Sequence, residues 1–206
     1  MTKFLQVHII NEVVNKMNFQ QVRQALKEHN LEVFTNQDFV NIFNISNEVS
    51  AVKLSRYKKL GYLISPKKGV YYLKGEIHDK NKIANKAYFP SYISLESALS
   101  FYNIIPETVY SITSITTKAT REFTDEQTIY KYYKIKKQAY TGYLIMDDTL
   151  IAEPEKAVCD YLYFVSLGKR VLNERMSLTK LNKDKIKYYS KFFDDTRLNN
   201  LINKIF

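Results

Sequence analysis

The chain has 206 residues, 45% hydrophobic and 25% charged, with only nine Gly plus Pro, so it is long enough to bury a sizeable core and too apolar to be disordered. No apolar run reaches the roughly 18 residues that a membrane-spanning helix needs. A formal net charge of +10 argues against an acidic or neutral binding protein and favours a polyanionic partner.

Taken in chain order, residues 4–17 place apolar side chains at the spacing of an amphipathic helix, and residues 19–29 do so again with Val22, Ala25 and Leu26. Asn30 breaks the pattern before a short segment, 31–34. No signal peptide is expected, because the apolar patch after Lys3 is soon interrupted by His8, Asn11 and Glu12.

Residues 35–75 form the most informative stretch. Thr35 is placed to cap a short helix over 36–43, whose Phe39, Ile42 and Phe43 recur at the spacing of a buried stripe. Asn44-Ile45-Ser46 predicts a tight turn, with Ser46 or Asn47 capping a second helix that stops at Gly61. A strand over 62–64, a basic tip over 65–69 and a strand over 70–73 follow. Helix, turn, helix and basic hairpin together predict a winged helix-turn-helix.

At 100° per residue, the second helix puts Ser50, Leu54, Tyr57 and Gly61 on one face, with Leu60 at its edge. Glu48, Val49, Val52, Arg56 and Lys59 fall opposite, flanked by Lys53 and Ser55. An apolar back and an outward row of donors are what a recognition helix needs. The reading expects Arg56 on a base or phosphate, Lys53 and Lys59 on phosphates, Lys67 and Lys68 on a neighbouring groove or backbone, and Val52 against a thymine methyl. Asn47 and Ser55 complete the expected DNA contacts. The charge supports this: residues 35–75 carry seven basic side chains (Lys53, Arg56, Lys58, Lys59, Lys67, Lys68, Lys74) against Asp38 and Glu48, so half of the net excess lies in a fifth of the chain.

Residues 76–90 are polar and end in a proline, and are expected to join an N-terminal domain, 1–75, to a C-terminal one, 91–206, with room for one short helix. Beyond the join, Ser94 is placed to cap a helix over 95–102. Segments 109–117, 128–137, 141–146 and 150–152 predict strands from their β-branched and aromatic content. Asp147-Asp148 predicts a turn. Glu153-Pro154-Glu155 opens a helix to about Leu167, and further helices are expected over 177–182, 185–193 and 197–205. The fold class expected is therefore α+β. Within the 128–137 strand, Lys131, Lys134 and Lys136, with Lys118 and Arg121 before it, form a basic patch that either extends a nucleic-acid track or guards a solvated edge strand. The edge-strand reading is preferred.

Catalytic chemistry finds little support. The five glycines are isolated, so there is no phosphate loop, and His8, His29 and His78 have no Cys or acidic partners at metal-ligand spacing. Neither catalytic residues nor a metal or cofactor are expected. The single Cys159 sits among Ala157, Val158 and Leu162 as a small hydrophobe; it permits no intrachain disulfide, which suits a reducing cytoplasm.

The series Tyr92-Ile93-Ser94-Leu95-Glu96-Ser97-Ala98-Leu99, Ile105-Pro106-Glu107, Ser114-Ile115-Thr116-Thr117-Lys118, Gly142-Tyr143 and Ala152-Glu153-Pro154-Glu155-Lys156-Ala157 resembles the C-terminal domain of the AbiEi family. These are antitoxins and autorepressors of the AbiE abortive-infection, type IV toxin–antitoxin systems, and they carry a winged helix-turn-helix ahead of that domain. The resemblance covers about 34–165; after about Leu167 the basic tail matches no pattern. It implies repression of the protein's own operon through inverted repeats in the promoter. It also implies neutralisation of a nucleotidyltransferase-like toxin, a functional partner that the antitoxin need not touch. The alternative is a winged-helix regulator whose C-terminal domain senses a ligand or dimerises, with no toxin partner.

Overall fold

The computed structural model describes residues 18–76, 79–126 and 128–206; the helix expected over 4–17 lies outside the described residues. The chain is mixed α+β and divides into two compact units, Met1–Ala87 and Tyr88–Phe206.

In the first unit, helix α1 (Phe19–Glu28) starts from a reciprocal cap: Gln21 N donates to Asn18 Oδ1 at 3.0 Å and Asn18 N to Gln21 Oε1 at 2.9 Å. Strand β1 (Val33–Thr35) leads straight into α2 (Asn36–Phe43), where Thr35 and Asp38 repeat the same exchange at 3.1 and 2.7 Å. Asn44 turns the chain in the left-handed region, φ +47, and Ser46 accepts from Val49 N to begin α3 (Asn47–Lys59). Asparagine tolerates that backbone better than most residues, which is why a three-residue turn suffices here.

After Gly61 come β2 (Leu63–Lys67) and β3 (Val70–Leu73), and the sheet order is β1-β3-β2, antiparallel throughout. The expected five-residue tip is shorter than predicted. Ser65, Pro66 and Lys67 belong to β2, with a register irregularity between Ile64 and Lys67, and only Lys68-Gly69 turn the chain. Val22, Leu26, Phe34, Phe39, Phe43, Leu54 and Tyr57 meet between the three helices and the sheet. Each of the fully buried rings, Phe34 and Phe39, contributes roughly 2–3 kcal/mol by leaving water.

The polar segment 76–90, expected as a join, holds helix α4 (Lys80–Ala87). Its Ile83, Ala84 and Ala87 are buried, and it packs on β1 and β3 of the first unit. This is the short helix that the join had room for, with three small or apolar positions at helical spacing among lysines and asparagines.

The second unit contains β4 (Ser91–Ile93), α5 (Leu95–Phe101), β5 (Ile112–Thr116), β6 (Arg121–Thr124), β7 (Ile129–Lys134), β8 (Tyr143–Met146), β9 (Thr149–Ala152), α6 (Pro154–Ser166), α7 (Lys183–Lys191) and α8 (Thr196–Ile205). The strands form one mixed sheet, β6-β7-β5-β4-β9-β8, parallel at β5–β7 and β4–β9. Helix α6 packs against α5, α7, α8 and β9. Its Ala157, Val158, Cys159, Leu162 and Phe164 are all buried, and burial pushes the Cys159 thiol up.

Three expectations are corrected. Residues 177–182 are turns, not a helix, because Ser177 N is drawn to Ile104 O at 2.8 Å and so short a run cannot sustain itself. The strand expected over 128–137 is not an edge: β6, unforeseen in the sequence, lies outside it. Ser94 occupies the N-cap position of α5, yet its side chain makes no cap hydrogen bond.

Candidate nucleic-acid interface

Helix α3 is set in place from behind by a buried stripe and from the front by one asparagine. Ser50, Lys53, Leu54 and Tyr57 are buried, and Val49 packs beside the core. Asn36, the first residue of α2, donates through Nδ2 to Asn47 Oδ1 at 2.9 Å and accepts from Ser50 Oγ at 2.7 Å. Its own N–H donates to Gly69 O at 3.1 Å. One side chain and its amide thereby hold the first turns of α3 and the β2–β3 turn together.

The outward face of α3 then carries Asn47, Val52, Ser55, Arg56, Lys58 and Lys59, all exposed, with Val52 70% so. Lys68 is exposed at the hairpin turn. Arg56, Lys58, Lys59 and Lys68 are in no ion pair with an acidic side chain among the described residues. The basic side chains Arg56, Lys58 and Lys59 are gathered in the last turn of α3, and with a rise of about 1.5 Å per residue they lie on the order of 15 Å from its first turn, where Asn36 holds the hairpin turn that carries Lys68.

Two expected contacts are moved by the tertiary structure. Lys53 is only 9% exposed, turned toward the core side of α3; burial, and then the charge of Arg56, hold its pKa below the ordinary lysine value. Lys67 sends its ammonium to Ala87 O, 3.1 Å away, at the C-terminal end of α4, where carbonyls left without amide partners attract a cation. Lys53 is thus not turned outward toward a phosphate, and the Lys67 ammonium is engaged within its own unit rather than extended toward a neighbouring groove or backbone. Val49 and Leu60 also trade places with expectation: the valine is half-buried and the leucine exposed.

The second basic group does not gather into a comparable surface. Lys118 Nζ donates to Phe89 O at 2.6 Å and lies 5.6 Å above the Tyr88 ring. Lys131 lies 3.8 Å from its cross-strand neighbour Glu122, and Lys136 reaches Asp194 O at 3.2 Å. Arg121 and Lys134 are exposed, but Tyr130 and Tyr132, the rings that would stack on bases, are fully buried.

A different cluster was not foreseen. Asp160 accepts from Tyr92 OH at 3.0 Å and from Ser94 Oγ at 2.8 Å, and is ion-paired with Lys156, four residues earlier on α6. All four side chains are buried, and Lys156 Nζ also lies 4.8 Å over the Phe193 ring. The stretches 92–99 and 152–157 therefore meet at one buried carboxylate. The only sequence signal for Asp160 was its i+4 spacing from Lys156.

Among the described residues no group of three or more His, Cys, Asp or Glu is placed to hold a metal ion, and no helix is long and apolar enough to cross a membrane. The chain matches no protein-family model and no curated protein.

Proposed function

We propose that the chain is a DNA-binding antitoxin that represses its own operon, with the first unit a winged helix-turn-helix and α3 its recognition helix. The observation that carries the reading is the unneutralised row Val52, Ser55, Arg56 and Lys59 on a helix whose opposite face is buried and whose start is tied by Asn36 to a hairpin turn bearing Lys68. The order α1-β1-α2-α3-β2-β3, with β1 closing a three-stranded sheet, supports the same reading. In it, Arg56 contacts a base edge or phosphate, Lys58 and Lys59 neutralise phosphates, Val52 meets a thymine methyl, and Lys68 reaches the flanking backbone. The second unit then acts as the antitoxin domain that the resemblance implies, in the cytoplasm, neutralising a nucleotidyltransferase-like toxin without a catalytic step.

The test is a fluorescence-anisotropy titration of the full chain on its own upstream DNA at two salt concentrations, beside Arg56→Ala/Lys59→Ala. Tight, salt-sensitive binding to an inverted repeat that the double variant loses is the expected result; loss of Arg56 from a base contact costs about 1–3 kcal/mol. Equal binding by both proteins rejects α3 as the contact surface. Co-expression with the neighbouring gene then separates an antitoxin from a regulator that has no toxin partner.

A further inference from the structure

Residues 35–75 contain two acids, Asp38 and Glu48. Asp38 is engaged within the fold: its carboxylate accepts from Thr35 N at 2.7 Å at the start of α2 and lies 3.0 Å from Lys86 Nζ. Glu48 is exposed, stands in the first turn of α3, and is in no ion pair among the described residues. The Ser46 hydroxyl, and then its own backbone amide, hold its carboxyl below the ordinary value. At neutral pH it is ionised and can only accept hydrogen bonds.

At 100° per residue, the buried Ser50, Leu54 and Tyr57 lie within about 60° of one another, and Glu48 projects from the opposite side of α3. Val52, Ser55 and Lys59, all exposed, fall within about 40° of it. Glu48 therefore stands in the middle of the face that a recognition helix turns to DNA. A carboxylate there meets one of two surroundings. Against phosphates it repels DNA of any sequence. Against base edges in the major groove it needs a donor, and the exocyclic amines of cytosine and adenine are the ones on offer. Adenine sets its N7 lone pair beside that amine, which disfavours a carboxylate; cytosine has no such acceptor on its own edge. The cations suited to phosphates lie elsewhere, with Arg56, Lys58 and Lys59 in the last turn of α3 and Lys68 on the hairpin. The first turn is left for bases, and helix-turn-helix proteins read base edges with the N-terminal residues of the recognition helix.

We infer that Glu48 is a specificity-determining residue that accepts a hydrogen bond from the N4 amine of a cytosine in the major groove of the operator. The inference rests on the reading of α3 as the recognition helix and adds a base to it. Affinity comes from the cations of the last turn and the hairpin. Glu48 works by exclusion, because DNA without a cytosine at its position leaves a carboxylate facing acceptors and phosphates.

The experiment is a fluorescence-anisotropy titration of the full chain, Glu48→Ala and Arg56→Ala/Lys59→Ala, on the protein's own upstream DNA and on a random duplex of the same length. A series of upstream duplexes, each with one C·G pair replaced by T·A, is titrated beside them. Glu48→Ala is expected to bind the upstream DNA about 10- to 100-fold more weakly. On the random duplex it binds as well as the unaltered chain or better, since a repulsive charge is gone, and that retained binding shows that the variant is folded. At one position of the series, the replacement weakens the unaltered chain by a similar factor and makes no difference to Glu48→Ala. A Glu48→Ala variant that binds both DNAs more tightly overturns the inference, and the acid then serves only the positive end of the helix. A series in which no replacement weakens the unaltered chain, or each weakens both proteins alike, overturns it too. These results leave α3 as the contact surface so long as Arg56→Ala/Lys59→Ala loses the upstream DNA. If that double variant binds as the unaltered chain does, the reading of α3 fails and the role of Glu48 with it.

Discussion

Ser50 donates its hydroxyl to the side-chain carbonyl of Asn36 at 2.7 Å, joining the first turn of the proposed recognition helix to the first residue of the helix before it. Ser50 is fully buried, so this acceptor is what allows a hydroxyl to sit under α3 at all. Asn36→Ala leaves that hydroxyl without its acceptor and frees Asn47, while the backbone bond from residue 36 to the hairpin turn remains. Urea unfolding is expected to show a loss of about 1–3 kcal/mol. DNA affinity falls as well, with no change in its salt dependence, since no charge is removed. Unaltered affinity in a destabilised variant would show that the asparagine serves the fold only.

Gly142 lies at φ +72, and a Cβ there would come within 2.6 and 2.8 Å of the Tyr189 ring and 3.0 Å of Lys156 Cγ. Tyr189 cannot withdraw easily, because its hydroxyl donates to Glu153 at 2.7 Å. Gly142→Ala is expected to cost about 2–4 kcal/mol, the sum of a left-handed backbone and an overpacked contact. Gly168, at φ +67 with nothing within 4 Å of an added Cβ, provides the comparison. Gly168→Ala is expected to cost only about 1 kcal/mol. Equal denaturation midpoints for the two variants would rule out the clash.

Lys156 and Asp160 are an ion pair with no exposed surface. Removing one charge strands the other, so Lys156→Met and Asp160→Asn should each destabilise by about 3–5 kcal/mol. The joint variant Lys156→Met/Asp160→Asn removes both charges yet keeps an acceptor for Tyr92 and Ser94. Its loss is expected to fall well below the sum of the two, as a double-mutant cycle by chemical denaturation will read. Strict additivity would mean that the two charges do not act as a pair.

Asp195 caps α8, accepting from Arg197 N at 3.0 Å and pairing with its guanidinium at 2.7 Å. The Arg197 hydrogen bond, above all, lowers its pKa from 3.8 to about 2. A folded-state pKa below the unfolded one stabilises at pH above the unfolded value and is lost as pH falls through the folded value. The stability difference between the unaltered chain and Asp195→Asn should therefore be full at pH 5 and shrink between 3.8 and about 2. Urea titrations at several pH values across that window measure it. A difference independent of pH would remove the ion pair from the account.

The helices flanking the short turn were legible almost to the residue. Thr35 and Ser46 cap α2 and α3 as their types and spacing required, and the cap bonds span only three residues. The β7 and β9 segments were legible from β-branched and aromatic content, and α6 from Glu153-Pro154. What depended on partners far away was not. Arg121–Thr124 has little strand character of its own and pairs because β7 offers it an edge. Ser94 looked like a cap, but its hydroxyl goes to Asp160, 66 residues on. Lys53 looked outward on a helical projection, and the packing of α3 turned it in.

Local bonding decided the elements of this protein, and the sequence carries local bonding in full: caps, turn residues and the period of apolar side chains act within a few positions of one another. Which side of α3 faces solvent, which strand ends the sheet, and which carboxylate sits between two otherwise unrelated stretches depend on surfaces brought together from distant parts of the chain. The free energy of those contacts belongs to pairs of residues that no short window contains. Tertiary structure alone therefore left Arg56 and Lys59 exposed and Lys53 buried, and put β6 and β8 rather than β7 at the edges of the sheet.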